Sequence, residues 1–231
     1  MSRRANRKKQ DETTFGSVWS FGFFLATLSN LMLCPLVYML LLVSPERKVL
    51  ATQVLTAYGF GLVAAGLIVS TSKISRLRTI IHELKHAVLV VLTGNKLNNF
   101  VADKHEGYVE YKMYENKLHF APLIKLAPYF FPLFSLPMII AFMVLDSFFP
   151  VQCAVLLGIA LASDICFGVE EIHPFQTDFK KLFGGFIISK IYLVGFYLLW
   201  PAVLTLWVRS GPEGILDGSA ILAEIILRRI G

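Results

Sequence analysis

Residues 19–43 form a run of 25 positions without one charged side chain, and nothing else in the chain restricts its fold as much. At a rise of about 1.5 Å per residue, roughly 20 apolar residues carry a helix across a hydrocarbon layer about 30 Å thick. In lipid every backbone N–H and C=O has to be satisfied inside the protein, so a run of this kind becomes a helix. Further apolar stretches follow at 50–69, 121–145, 150–162 and 182–208. The chain as a whole is 55% hydrophobic and 16% charged, against about 45–50% and about 25% in soluble domains. These features predict an all-α integral membrane protein of about six transmembrane or re-entrant helices. The sixth is the shorter and more polar stretch 79–93, and a small β-hairpin is inserted after it.

The net charge of +6 does not imply a nucleic-acid partner. The basic residues are not interleaved with aromatics along one face, as a stacking surface would require. Arg3, Arg4, Arg7, Lys8 and Lys9 precede the first apolar run, Lys73, Arg76 and Arg78 follow the second, and Arg228 and Arg229 lie at the end. Charge at segment ends sets topology and meets anionic lipid, so the lipid bilayer is the expected partner. With two spans between them, the first two clusters both face the cytoplasm. The expected organisation is a polar cytoplasmic N-terminal tail over 1–14, a polytopic membrane domain over 15–210 and an amphipathic segment over 211–231. In the last, Ile215, Leu222, Ile225 and Ile226 form an apolar stripe suited to the interface. The expected location is a plasma or inner membrane, crossed several times. The first run is too long for a secretory signal and is read as a retained span. Cys34, Cys153 and Cys166 are odd in number, lie in apolar surroundings and show no CxxC spacing, which suits buried thiols.

Between the spans, local signals place the turns. Pro35 is a kink position in the first span. GFGLVAAG at 59–66 offers small residues for close helix contact, and TSKISRLR at 71–78 is a basic connector. Gly94 and Asn95 mark a helix end. Residues 95–120 are the most polar internal stretch. Val109, Tyr111 and Met113 alternate with Glu110, Lys112 and Tyr114, and Glu115-Asn116 can turn the chain into 117–120, which predicts a hairpin there. Pro122, Pro128, Pro132 and Pro137 break the first half of 121–145. SDICFGVEEIHPFQTDFKK, 163–181, reads as a polar connector.

HELKH, residues 82–86, sets four ionisable groups in five positions of an otherwise aliphatic stretch. Each buried charge costs about 2.5–3.5 kcal/mol on an insertion scale, so such residues are functional candidates. His82 and His86, four residues apart, project from one helix face, where both imidazoles reach one metal ion. Glu83 is one residue round. This is the HExxH arrangement, in which the histidines bind Zn2+ and the glutamate takes a proton from water. Lys85 points about 100° away from His86 and is expected to snorkel to headgroups or pair with Glu170 or Glu171. The alternative for the whole group is an interhelical polar network. His105 and His119 are assigned to the surface of the hairpin region.

HELKHAVLVVLTG resembles the H-E-x-x-H-A stretch, ending in glycine, of the site-2-protease-like family of intramembrane zinc metalloproteases. GYVEYKMYENKLHF and LAPYFFPLF stand where that family has a hairpin-like segment and a proline-containing helix, and the resemblance covers roughly residues 74–185. It implies a metallopeptidase that cleaves in or next to a transmembrane segment of a membrane protein or peptide substrate. It also implies an aspartate as third zinc ligand near the start of a later helix, within a proline-preceded DG pattern. Here HPFQTDF, 173–179, supplies Asp178, followed by Phe179 rather than glycine. Asp178 is favoured because a carboxylate suits a helix N-terminus. Asp164 is the rival, and His173 a further candidate as ligand, second partner or oxyanion stabiliser. Asn98, Asn99 and Asp103 are candidates for a water route. Two other classes remain open: a catalytically inactive membrane scaffold or binding protein of the same fold, and a metal transporter.

Overall fold

The computed structural model describes residues 18–47, 50–72, 74–103, 107–179, 182 and 185–230. The elements in order are α1 (Val18–Val43), α2 (Ala51–Thr71), α3 (Ser75–Leu92), β1 (Lys96–Ala102), β2 (Gly107–Lys112), a 3-10 turn (Glu115–Phe120), α4 (Ala121–Phe130), α5 (Ser135–Leu145), α6 (Pro150–Val169), a second 3-10 turn (Thr177–Phe179) and α7 (Gly185–Ile230). The tail over 1–14 with its basic cluster, Lys73 and His105 lie outside the described residues.

Among the described residues four helices are long and apolar enough to cross a membrane, within α1, α2, α6 and α7, and a fifth span is reached if the broken pair α4 and α5 counts as one. This is a multi-pass pattern with four or five candidate spans among the about six transmembrane or re-entrant helices expected. The difference is α3: Arg76, Arg78, Glu83 and Lys85 fall within its 18 residues and leave it too polar to count. It begins inside the basic connector, at Ser75, and so reaches about 27 Å at 1.5 Å per residue.

The chain divides into two compact units. One takes Met1–Ser29, Ser75–Tyr129 and Ile172–Leu193; the other takes Asn30–Ile74, Phe130–Glu171 and Val194–Gly231. In the second unit α2 packs along α6 by a seam of glycines. A Cβ on Gly61 would collide with the Val155 carbonyl, and one on Gly158 with the Tyr58 carbonyl, so Gly61 serves the close approach expected of the second span's small residues, while Gly59 and Gly66 meet nothing within 4 Å. Val54, Phe142, Leu157, Leu161 and Leu204 fill the core beside this seam. All three cysteines are unpaired, with Cys34 and Cys153 buried.

Two segments of the second unit depart from expectation. Residues 163–169 are not a connector but the last two turns of α6. Their one acidic residue is satisfied there: buried Asp164 accepts from Phe134 N (3.1 Å), Ser135 N (2.8 Å) and Ser135 Oγ (2.7 Å), meeting the free amides at the start of α5. The C-terminal segment continues α7 beyond a break at Gly211, which takes a left-handed φ of 66° just before Pro212. Its inward face is Gly214, Gly218 and Leu222, not the expected stripe, because the two glycines lie directly against Pro45 and Ser44. Of the stripe only Leu222 is buried, while Ile225 and Ile226 are exposed.

In the first unit α3 packs on the hairpin. Its end is a closed turn: Gly94 takes φ 69°, Gly94 N donates to Val91 O and Asn95 N to Val90 O, the double bond of a glycine helix stop. Asn95 Oδ1 then accepts from Tyr114 N (3.1 Å) and Lys117 Nζ donates to Gly94 O (2.6 Å), which ties both ends of the hairpin segment to the helix. The hairpin itself lies upstream of its predicted place. β2 pairs antiparallel with Lys96–Ala102, Leu97 facing Tyr111 and Phe100 facing Val109, with an irregularity at Asn98. Residues 115–120 coil into a 3-10 turn instead of forming a second strand.

Candidate metal centre

α3 presents His82 and His86 on one face because four residues make a little more than one turn. Their rings meet edge to face with centroids 5.1 Å apart. The third group comes from a distant turn: Asp178 Oδ2 lies 3.6 Å from His82 Nε2 and 3.7 Å from His86 Nε2. One ligand atom from each of His82, His86 and Asp178 lies within 4.8 Å of the others, so the group could hold a metal ion. Two ligands of a tetrahedral Zn2+ at about 2.0–2.1 Å would sit about 3.4 Å apart, close to these spacings.

The protons of the site argue in the same direction. His86 Nδ1 is 2.7 Å from the Ile124 carbonyl, and a carbonyl only accepts, so Nδ1 carries the ring proton. In the neutral ring Nε2 then aims a lone pair at the Asp178 carboxylate. A cation between that nitrogen and the acidic oxygen, whether a second ring proton or a metal ion, satisfies both, and Nδ1–H is the tautomer a metal-binding histidine needs.

Asp178 is oriented by neighbours rather than by a helix dipole. It lies in the 3-10 turn Thr177–Phe179, well before α7 begins at Gly185, so the expectation of a helix N-terminal carboxylate does not hold. Tyr129, fully buried, donates its hydroxyl to Oδ2 at 2.9 Å. The Tyr129 ring also stands edge-on to His82, at 5.7 Å, and packs on Phe179 at 4.8 Å. Burial alone would push the Asp178 carboxyl up, but both histidines and the Tyr129 hydroxyl outweigh it and hold the carboxyl well below the usual range. Tyr111, on β2, feels this charge: burial and then Asp178 push its hydroxyl up.

Glu83 is buried on the same turn of α3. The start of β2 lies against it, since a Cβ on Gly107 would come within 2.6 Å of Glu83 Cγ and 2.7 Å of Oε1. Only a strand residue without a side chain fits there. Lys85 is 1% exposed and donates to the Pro128 carbonyl at 3.3 Å, so it does not snorkel. A backbone acceptor near the C-terminal end of α4 suits a cation in apolar surroundings.

Other predicted site residues fall elsewhere. Asp164 is spent on the amides of α5, as described. His173 is exposed, with Nδ1 accepting from Phe175 N at 3.4 Å. His119 is exposed and stacks on Phe120. Asn98, Asn99 and Asp103 are exposed on β1 and just after it. Three contributors went unforeseen: the Tyr129 hydroxyl, Tyr111 and the Ile124 carbonyl. Only Pro128 hinted at the last, since a proline leaves the carbonyl four residues back without its helical donor. No family model, curated protein or solved structure matches the chain.

Proposed function

We propose that the protein is an intramembrane zinc metallopeptidase of the site-2-protease-like kind, hydrolysing a peptide bond in or next to a transmembrane segment of a membrane-protein substrate. The observation that carries this reading is the convergence of two imidazole nitrogens and one carboxylate oxygen beside a buried glutamate on the same helical turn. Zn2+ held by His82, His86 and Asp178 would supply a Lewis acid and a water whose pKa falls from 15.7 towards about 7.

The chain's own groups divide the remaining work. Glu83 takes the proton from the attacking water and returns it to the leaving amine. Tyr129 holds the Asp178 carboxylate, and the Ile124 carbonyl holds the His86 ring. The apolar surroundings limit bulk water, which strengthens each of these interactions.

A membrane-spanning substrate hides its carbonyls in helical hydrogen bonds and has to be unwound to react. Among the described residues β2 has β1 on one edge and no strand on the other, and its first residue touches Glu83. An unwound segment added along that edge would run past the centre. Tyr111→Pro removes a strand amide and is expected to impair cleavage while zinc content stays unchanged; full activity would refute the added strand.

The test of the main reading uses wild type and Glu83→Gln, purified in detergent, with zinc content and cleavage of membrane-segment peptides as readouts. A peptidase predicts zinc in both proteins and cleavage by wild type only. Zinc in both with cleavage by neither would leave a metal-holding scaffold. Metal flux that depends on His82 and His86 would identify a transporter.

A further inference from the structure

α3 and α4 are joined by two backbone acceptors four residues apart. His86 Nδ1 meets Ile124 O at 2.7 Å and Lys85 Nζ meets Pro128 O at 3.3 Å. In an uninterrupted α-helix the Ile124 carbonyl would receive the amide of residue 128. That residue is Pro128, which lies inside the helix and has no N–H. The segment is fully enclosed, with Ile124, Leu126 and Ala127 each 0% exposed, so water does not satisfy the carbonyl and a protein donor is required. α3 supplies it. The same pattern recurs one turn on: α4 stops at Phe130, Pro132 again has no amide to offer, and the Pro128 carbonyl goes to Lys85.

We infer that Pro128 is a positioning residue for the metal centre: by withholding an amide from Ile124, it reserves that carbonyl for His86 and so fixes which ring nitrogen faces Asp178. A mid-helix proline ordinarily weakens a helix, and here the lost internal bond is replaced by one that sets a ligand. The inference rests on the metal-holding part of the function proposed above and extends it to a residue that touches neither metal nor substrate. Pro122 provides the contrast. It sits in the first turn of α4, where an amide has no acceptor within α4 itself, so its ring leaves no carbonyl of α4 without its donor.

The test compares wild type with Pro128→Ala, Pro128→Val and Pro122→Ala, each as the full chain in detergent. Zn2+ affinity is read by competition with a chromophoric chelator. Both Pro128 variants restore an amide that competes for Ile124 O, and their Zn2+ affinity is expected to fall about 10–100-fold, the range for loss of a ligand's outer partner. Their metal-free melting temperature is expected to hold or rise, because the helix regains a hydrogen bond. Pro122→Ala should change neither. Loss of affinity with a parallel loss of fold would indicate a merely structural proline and overturn the inference, as would unchanged affinity. Imidazole 15N spectra of the metal-free wild type, assigned with a His86 variant, give a second measurement that does not depend on the proline variants folding. His86 is expected as the Nδ1–H form, and an Nε2–H ring would overturn the inference. Absence of Zn2+ binding by the wild type would bring down the metal reading as well, whereas unchanged affinity in the variants sinks the proline's role alone.

Discussion

Gly107→Ala places a methyl group where the start of β2 meets α3. Its Cβ would lie 2.6 Å from Glu83 Cγ, 2.7 Å from Glu83 Oε1 and 2.8 Å from Thr79 Cγ2. Unstrained carbon contacts lie at about 3.5–4.0 Å, so either the strand or the glutamate has to retreat by about 1 Å. Glu83 is the softer side, because its carboxyl end swings on rotatable bonds while the strand is paired to β1. The stability cost is about 1–3 kcal/mol, as for other overpacked contacts. The catalytic cost is separable: a reacting group misplaced by 1 Å can lose about 10²-fold in rate, close to 2.7 kcal/mol of barrier. None of the three atoms nearest the added methyl belongs to His82, His86 or Asp178. The expected result is therefore a kcat about 100-fold lower with zinc stoichiometry and affinity unchanged. The assay is cleavage of a fluorogenic membrane-segment peptide in detergent, beside zinc content measured by mass spectrometry. Gly66→Ala serves as control, since its Cβ would meet nothing within 4 Å. Wild-type turnover by Gly107→Ala would refute the assignment of Glu83 as the proton-carrying base.

Tyr129→Phe keeps the ring between His82 and Phe179 but deletes the hydroxyl bond to Asp178; a charge-assisted bond is worth about 1.5–3 kcal/mol, so zinc affinity should fall at least about tenfold in a chelator competition. Asp178→Ala should abolish zinc binding, while Asp164→Ala should leave affinity unchanged and lower stability by about 2–3 kcal/mol through the bared Phe134 and Ser135 amides; equal effects on zinc would reverse the ligand assignment. Zinc binding should release protons and weaken as pH falls. Because the Asp178 carboxyl is held low and stays ionised, it is not the source of that release, and Asp178→Glu should keep it. Calorimetry in buffers of different ionisation enthalpy measures it.

The apolar spans and the metal helix were legible because each writes its physics into consecutive residues. A run such as 19–43 has one solution in lipid, and His82 and His86 share a face by helical spacing alone. Gly94 announced its stop for the same reason. The hairpin was harder: β2 alternates, but its partner KLNNFVA mixes Lys96, Asn98 and Asn99 with Leu97, Phe100, Val101 and Ala102 in no period-2 pattern, so it does not announce a strand by itself. Asp178 and Asp164 are alike in sequence, each near a helix end. What separates them is tertiary, the Tyr129 hydroxyl and two imidazoles for one, the amides of α5 for the other. Lys85 was misplaced for a related reason, since its acceptor is a backbone atom that no side chain advertises.

The bond from Asp164 to the start of α5 also bears on how the chain is made. Phe134 and Ser135 leave the ribosome about 30 residues before the carboxylate that receives their amides, and each bare amide in hydrocarbon costs several kcal/mol. α5 therefore has no low-energy resting place in the bilayer by itself. α5 and α6 are expected to settle in the bilayer together, with Asp164 as the clasp between them.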